Sequence, residues 1–393
     1  MMVSAVKQKP AIGLDTGVFL EVIENGTPEQ RMALARQLAR FLAEGEASES
    51  ERNQIVPAVL KLAVDPVAEV RRALVTILTS VPNLHADIVF SIISDEESIA
   101  LPFLAATPAL NHWHMLAILR VGDPPRQIGI ALRTDISAEA RAYAVKSSAI
   151  EVCLALFDNP SVQFNETEYH ALYNRFGQAP EMVERLLGCP DLPLDIRIMQ
   201  AKRASNRMHQ LMAERGWVPA NDAAELVAEA EETAVLRILV EASDEELSRV
   251  VPFLMSKAML TPSIIVRAAC LGEMHVVERA LADLGGVPVP KARDAMQGRG
   301  MMRLKALHVK SGLPQSCYGI LQAACDVAVD EREEGITLDA EGFGRRLIEA
   351  LMTRYEAMPL KERTKHLEFL ARFADDRVRV IARRLKADIV RAA

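Results

Sequence analysis

Few residues in this chain have the types and spacing that chemistry needs. His112-Trp113-His114 is the strongest invitation, because two nearby imidazoles can bind a divalent metal. On a helix, however, positions i and i+2 point about 200° apart, so the two rings cannot share an ion. The expected reading is a helix cap beside a partly buried aromatic. The other histidines are isolated and no HExxH occurs, so no second ligand set is offered. Cys153, Cys189, Cys270, Cys317 and Cys325 are scattered and form no CxxC. They read as buried thiols, not as a disulfide framework. Closely spaced glycines occur at Gly298-Arg299-Gly300 and Gly342-Phe343-Gly344-Arg345-Arg346. No Gly-Lys-Ser/Thr follows and no strand pattern precedes them, which excludes a P-loop and a dinucleotide fingerprint. Arg345 and Arg346 stay as a candidate anion or partner contact at a helix start, with solvated arginines as the competing reading. No GxSxG elbow is present. No catalytic, metal-binding or cofactor-binding residue is assigned, and no cofactor is expected.

The elements that would position any site are organised around Asp65-Pro66-Val67-Ala68-Glu69-Val70-Arg71-Arg72-Ala73-Leu74. An apolar helical pattern in Ile55, Val56, Val59, Leu60 and Ala63 precedes it. Asp65 suits an N-cap and Pro66 a first helical position. Val70, Ala73, Leu74, Ile77 and Leu78 then recur at i, i+3, i+4, i+7 and i+8, one apolar helix face. Two such helices joined by a short turn form a helical hairpin. The unit returns along the chain. Arg31, Arg71, Arg141, Arg197, Arg237, Arg267 and Arg379 each lie near the start of an expected second helix. Several of their spacings fall near one or two periods of roughly 35–40 residues. An Asp at the turn and an Arg one turn later predict a ladder between stacked units, with Asp65, Arg71, Arg141, Arg197, Arg267 and Arg379 as its members. Each rung competes with a plain solvated arginine.

Thr27-Pro28-Glu29-Gln30 and Ser243-Asp244-Glu245-Glu246 read as helix starts. Pro- and Gly-bearing turns punctuate the rest, and no strand alternation appears. The chain has 393 residues, 50% of them hydrophobic and only 5% aromatic, which excludes disorder and favours helix over sheet. The longest uncharged run, Ile99 to Leu119, holds Pro102, Pro108, Asn111 and two histidines. It predicts two buried helices with a break near Thr107-Pro108, not a membrane span. Without a signal-peptide core, a cytoplasmic location is expected. The net charge of −7 disfavours general nucleic-acid binding, although residues 291–393 are net positive.

The expected architecture is an all-α solenoid of HEAT-like helical hairpins, a right-handed superhelix of roughly nine to eleven units. A lapse in the helical signal from Gly216 to Asn221 separates residues 1–215 from 216–393, which are expected to continue the array. Ile264-Ile265-Val266-Arg267, Leu271-Gly272-Glu273, Ala280-Leu281-Ala282, Val287-Pro288 and Leu304-Lys305-Ala306-Leu307 stand in residues 244–314. With Ser311-Gly312-Leu313-Pro314, this core resembles an alphaproteobacterial family of HEAT-like proteins catalogued as a domain of unknown function. That resemblance implies a helical-repeat protein and brings no catalytic residue with it. Asp375 to Arg391 reads as a closing helix with the stripe Val378, Ile381, Ala382, Leu385 and Ile389. Its Arg383 and Arg384 are candidate partner or anion contacts. The expected function is a non-catalytic protein-binding scaffold or adaptor. The alternatives are nucleic-acid binding by a helical repeat, or a small-ligand or nucleotide sensor. No pattern fixes the partner or the oligomeric state.

Overall fold

The computed structural model describes residues 16–44, 48–216, 219–298 and 301–356. Among these residues there are twenty-one α-helices and no strand. The chain divides into two compact units, Met1–Asp191 and Leu192–Ala393.

The first unit contains α1 (Thr16–Asn25), α2 (Pro28–Ala43), α3 (Glu49–Ala63), α4 (Ala68–Leu78), α5 (Ala86–Ile93) and α6 (Glu97–Ala106). It continues with α7 (His112–Val121), α8 (Pro124–Ala131), α9 (Ala138–Ser147), α10 (Ile150–Asp158), α11 (Glu166–Phe176) and α12 (Pro180–Leu187). The starts follow from the sequence. Thr27, Ser48, Asn111 and Asn165 form capping boxes with Gln30, Glu51, His114 and Glu168. The uncharged run divides as expected into α6 and α7, on either side of Thr107-Pro108.

Packing in this unit is next-but-one. The even helices α2, α4, α6, α8, α10 and α12 follow one another in contact, as do α1, α3 and α5, and α7, α9 and α11. Chain neighbours join as hairpins. Between them lie fully buried side chains such as Leu38, Ile55, Leu74, Phe103 and Leu156. One expected start is different. α4 begins at Ala68, after Val67, with no side-chain cap. The Asp65 carboxylate instead accepts the Val67 amide at 2.9 Å and the Arg31 guanidinium, so Pro66 stays in the turn.

The second unit opens with α13 (Leu194–Arg215) and α14 (Ala220–Val240), a long hairpin. Arg237 stands in the last turn of α14, not near the start of a helix. α15 (Asp244–Ser256), α16 (Pro262–Leu271), α17 (Met274–Gly285), α18 (Val289–Gln297), α19 (Met301–Ser311), α20 (Gln315–Glu334) and α21 (Ala340–Glu356) follow. The centre is α16, which packs on α14, α17, α20 and α21. Every residue from Ser263 to Cys270 is buried. A helix that is apolar all round has no face to give to water, and α16 carries only Arg267 as a charge.

Gly272 ends α16 in the left-handed region, at φ +83°. A Cβ there would lie 2.9 Å from Phe343 Cγ, and Phe343 on α21 is buried. The glycine thus answers two demands, a left-handed cap and a close ring. Gly272→Ala is expected to cost about 2–4 kcal/mol from strain and overpacking together. Gly286→Ala, at φ +58° with nothing near its Cβ, should cost about 1 kcal/mol. Denaturant unfolding of both variants checks this, and equal losses would contradict the role of the Phe343 ring.

Candidate functional site

Helix ends explain most of the charged contacts in the first unit. Arg31 on α2 grips both Asp65 oxygens, at 2.6 and 3.2 Å, and donates to the Gly26 carbonyl at 2.8 Å. Arg71 on α4 does the same one step on, holding Asp95 at 2.8 and 3.0 Å and donating to the Asp65 carbonyl at 2.6 Å. Arg126 on α8 donates to the carbonyls of Ile93, at 2.7 Å, and Asp95, and pairs with Asp123. Asp65 and Asp95 therefore each accept one arginine on the carboxylate and the next on the carbonyl.

The series continues through residues that spacing does not predict. Buried Arg133 donates to Leu104 and Thr107 carbonyls at 2.5 and 2.8 Å and pairs with Asp135. Asn159 reaches the Ala131 and Arg133 carbonyls at 2.9 and 2.7 Å. Arg175 donates to Val145 and Ser148 carbonyls. Arg141 bonds Glu168 at 2.9 Å. Arg133, Asn159 and Arg175 are planar donors that serve carbonyls left unpaired at a helix C-terminus, whereas Arg141 pairs with a carboxylate in the first turn of α11.

The other sequence-selected residues stand apart. Arg197 lies half-buried on the first turn of α13. The Ser243 hydroxyl and amide hold the Glu246 carboxyl low, with Arg249 and Arg197 adding to the effect. Arg267 is buried on α16, within 3.6 Å of Glu229 and 3.7 Å of Glu232, and donates to Thr233 at 3.2 Å. Arg345 is exposed, 3.9 Å from Glu341, while Arg346 pairs with Glu334 at 2.8 Å. Arg379, Arg383, Arg384 and the closing helix lie outside the described residues, as do Arg299 and Gly300. Asn111 and His114 cap α7 as expected, with His114 buried, but Trp113 is 69% exposed and not partly buried. His112 lies 3.5 Å from Glu139. Among the described residues no three His, Cys, Asp or Glu side chains are placed to hold a metal. Burial pushes Cys153 up to about 11 and Cys317 and Cys325 up to about 12, so all three are thiols at neutral pH.

Two concavities flank α18. The smaller, about 210 Å³, is internally paired: Arg293 binds Glu278 at 2.8 Å and Arg279 binds Asp283 at 2.8 Å. The larger, about 380 Å³, lies between α18 and α19. Val287, Ala295, Ala306 and Leu307 give it an apolar floor, and Lys291, Arg303 and Lys310 outnumber Asp294 on its rim. α19 positions this surface. Leu304, Leu307, His308 and Ser311 are buried at helical spacing, so Met302, Ala306 and Val309 face out. Met302 is 82% and Val309 66% exposed. Met296, on α18, is buried core. His308 fixes the inner face: its Nε2 lies 3.1 Å from the Pro314 carbonyl and its ring meets Tyr318 edge-on. Burial lowers the His308 pKa, leaving the ring neutral.

Residues 99–361 match the family described as an uncharacterised protein conserved in bacteria (DUF2336). The chain belongs to this family. The matched span includes all of α7–α21, and so the α18–α19 groove, Arg133 and Arg175 fall inside the DUF2336 region, whereas Arg31, Asp65 and Arg71 precede it. No curated protein and no solved structure matches the chain. Among the described residues no helix is long and apolar enough to cross a membrane.

Asp65→Asn keeps an oxygen for the Val67 amide but takes the carboxylate from the largely buried Arg31 guanidinium, so it is expected to lower the melting temperature clearly. Arg346→Ala breaks only a surface pair and should stay within about 0.5 kcal/mol of the parent. Thermal melts compare the two, and a parent-like melt for Asp65→Asn would contradict a structural role for the linked arginines.

Proposed function

We propose that this protein is a non-catalytic scaffold of the cytoplasm, a HEAT-like solenoid of helical hairpins that docks a partner protein in the α18–α19 groove. The next-but-one packing of α1–α12 supports the solenoid reading, because stacked hairpins bury one face and leave extended surfaces for partners. The likeness of residues 244–314 to alphaproteobacterial HEAT-like proteins points the same way.

The observation that carries the binding claim is the groove itself. An apolar floor rimmed by Lys291, Arg303 and Lys310, beside exposed Met302 and Val309, suits a segment with apolar anchors and carboxylates. A nucleic-acid backbone would use the cations and gain nothing from Met302 and Val309. The chain's net charge of −7 also opposes that alternative.

The test compares capture from the native bacterial cytoplasm by the parent and by Lys291→Glu/Arg303→Glu/Lys310→Glu. The expected result is a specific protein captured by the parent and lost with the charge reversal, at unchanged helicity. Capture that ignores the reversal would remove the groove from the account. Duplex DNA binding that weakens steeply with salt would replace the scaffold with a nucleic-acid binder. A melting temperature raised by one nucleotide or metal would replace it with a sensor.

A further inference from the structure

The α13–α14 hairpin has more apolar surface than its own two helices bury. On α13, Ala204, Met208 and Leu211 are all exposed and follow one another by four and three residues. That is the spacing of a helix–helix seam. Met208 is 50% exposed and, on α14, Leu226 is 53% exposed. The inner side is already filled, by Ala223 and Val227 among others.

Charge separates the two helices. From Lys202 onward α13 carries Lys202, Arg203, Arg207 and Arg215 against Glu214 alone. α14 carries Asp222, Glu225, Glu229, Glu231 and Glu232 before its first basic residue, Arg237. Part of this contrast is used within the chain: Lys202 lies 3.7 Å from Glu231, and Glu229 and Glu232 lie near Arg267. Arg207, Arg215, Asp222 and Glu225 are exposed.

We propose that this hairpin is a self-association surface whose occupant is the same hairpin of a second copy of the chain. A basic helix beside an acidic one is self-complementary under a two-fold axis: each α13 faces the other copy's α14. The result is a four-helix bundle with Met208, Leu211 and Leu226 in its seam and opposite charges along its flanks. Exposed apolar residues on both helices, with charge of opposite sense on each, favour this occupant over an unrelated helix, because both halves of the match are in one sequence.

The test is sedimentation of the full chain over a concentration series. The parent is expected to show a monomer–dimer equilibrium that weakens as salt rises. Met208→Glu/Leu211→Glu should be monomeric with unchanged helicity and melting, since both side chains are exposed. Arg207→Glu/Arg215→Glu and Asp222→Arg/Glu225→Arg should each weaken self-association about tenfold or more, by setting like charges face to face. Mixing those two variants should restore a dimer, because both facing pairs are again opposite. A parent that stays monomeric to high micromolar concentration would overturn the proposal. So would a dimer that survives Met208→Glu/Leu211→Glu, or a mixture that fails to pair when each variant alone is folded.

Discussion

A chain of short helices has to satisfy its helix ends. Each helix leaves four carbonyls without an internal partner at its C-terminus, and a buried carbonyl without a donor costs about 1–3 kcal/mol. In the first unit ten of the twelve helices stay within about three turns, so ends make up a large share of the backbone. The solution there is the guanidinium. Its planar fork reaches two carbonyls, or a carbonyl and a carboxylate, in one plane, which an ammonium group cannot match. Arg31, Arg71, Arg126, Arg133 and Arg175 each serve a helix end in this way.

The second unit meets the same constraint with backbone geometry. Gly216, Gly272, Gly286, Gly312 and Gly335 all take left-handed conformations, and four of them directly cap α13, α16, α17 and α20. Among the described residues every left-handed glycine belongs to this unit. A glycine cap closes a helix locally, whereas an arginine cap ties it to another helix. The glycine-capped ends leave room for packing about one buried helix, α16. They also leave side chains of α18 and α19 available at the surface, where Lys291, Arg303 and Lys310 surround an apolar floor.

Much of this was legible in the sequence. Cap residues and apolar periodicity locate the helices, including the break near Thr107-Pro108 and the starts at Thr27 and Ser243. Arg31, Arg71 and Arg141 stand out by position, and all three make cross-helix bonds. Arg126, Arg133, Arg175 and Asn159 did not stand out, because a C-terminal carbonyl carries no sequence mark and its donor can come from about 30 residues away with no fixed interval. Asp65 was legible as a turn residue but not in its partner, since an Asx turn and an N-cap share the same residue types. The groove was the least legible feature. It exists only where α18 and α19 meet, and its single sequence trace is the outward Met302, Ala306 and Val309 beside basic residues. The all-apolar Ile264-Ile265-Val266 of α16, by contrast, already demands a central position.

Guanidiniums that serve the end of another helix join successive helices of the first unit into one cooperative body. Native-state hydrogen exchange of the full chain with Arg133→Met tests it most directly. Arg133 donates to the end of α6, and its own carbonyl accepts Asn159 beyond α10. Amides of α6, α8 and α10 are expected to lose protection together, by about 2 kcal/mol or a roughly thirty-fold faster exchange. Faster exchange confined to residues 104–110, with α8 and α10 protected as in the parent, would contradict it.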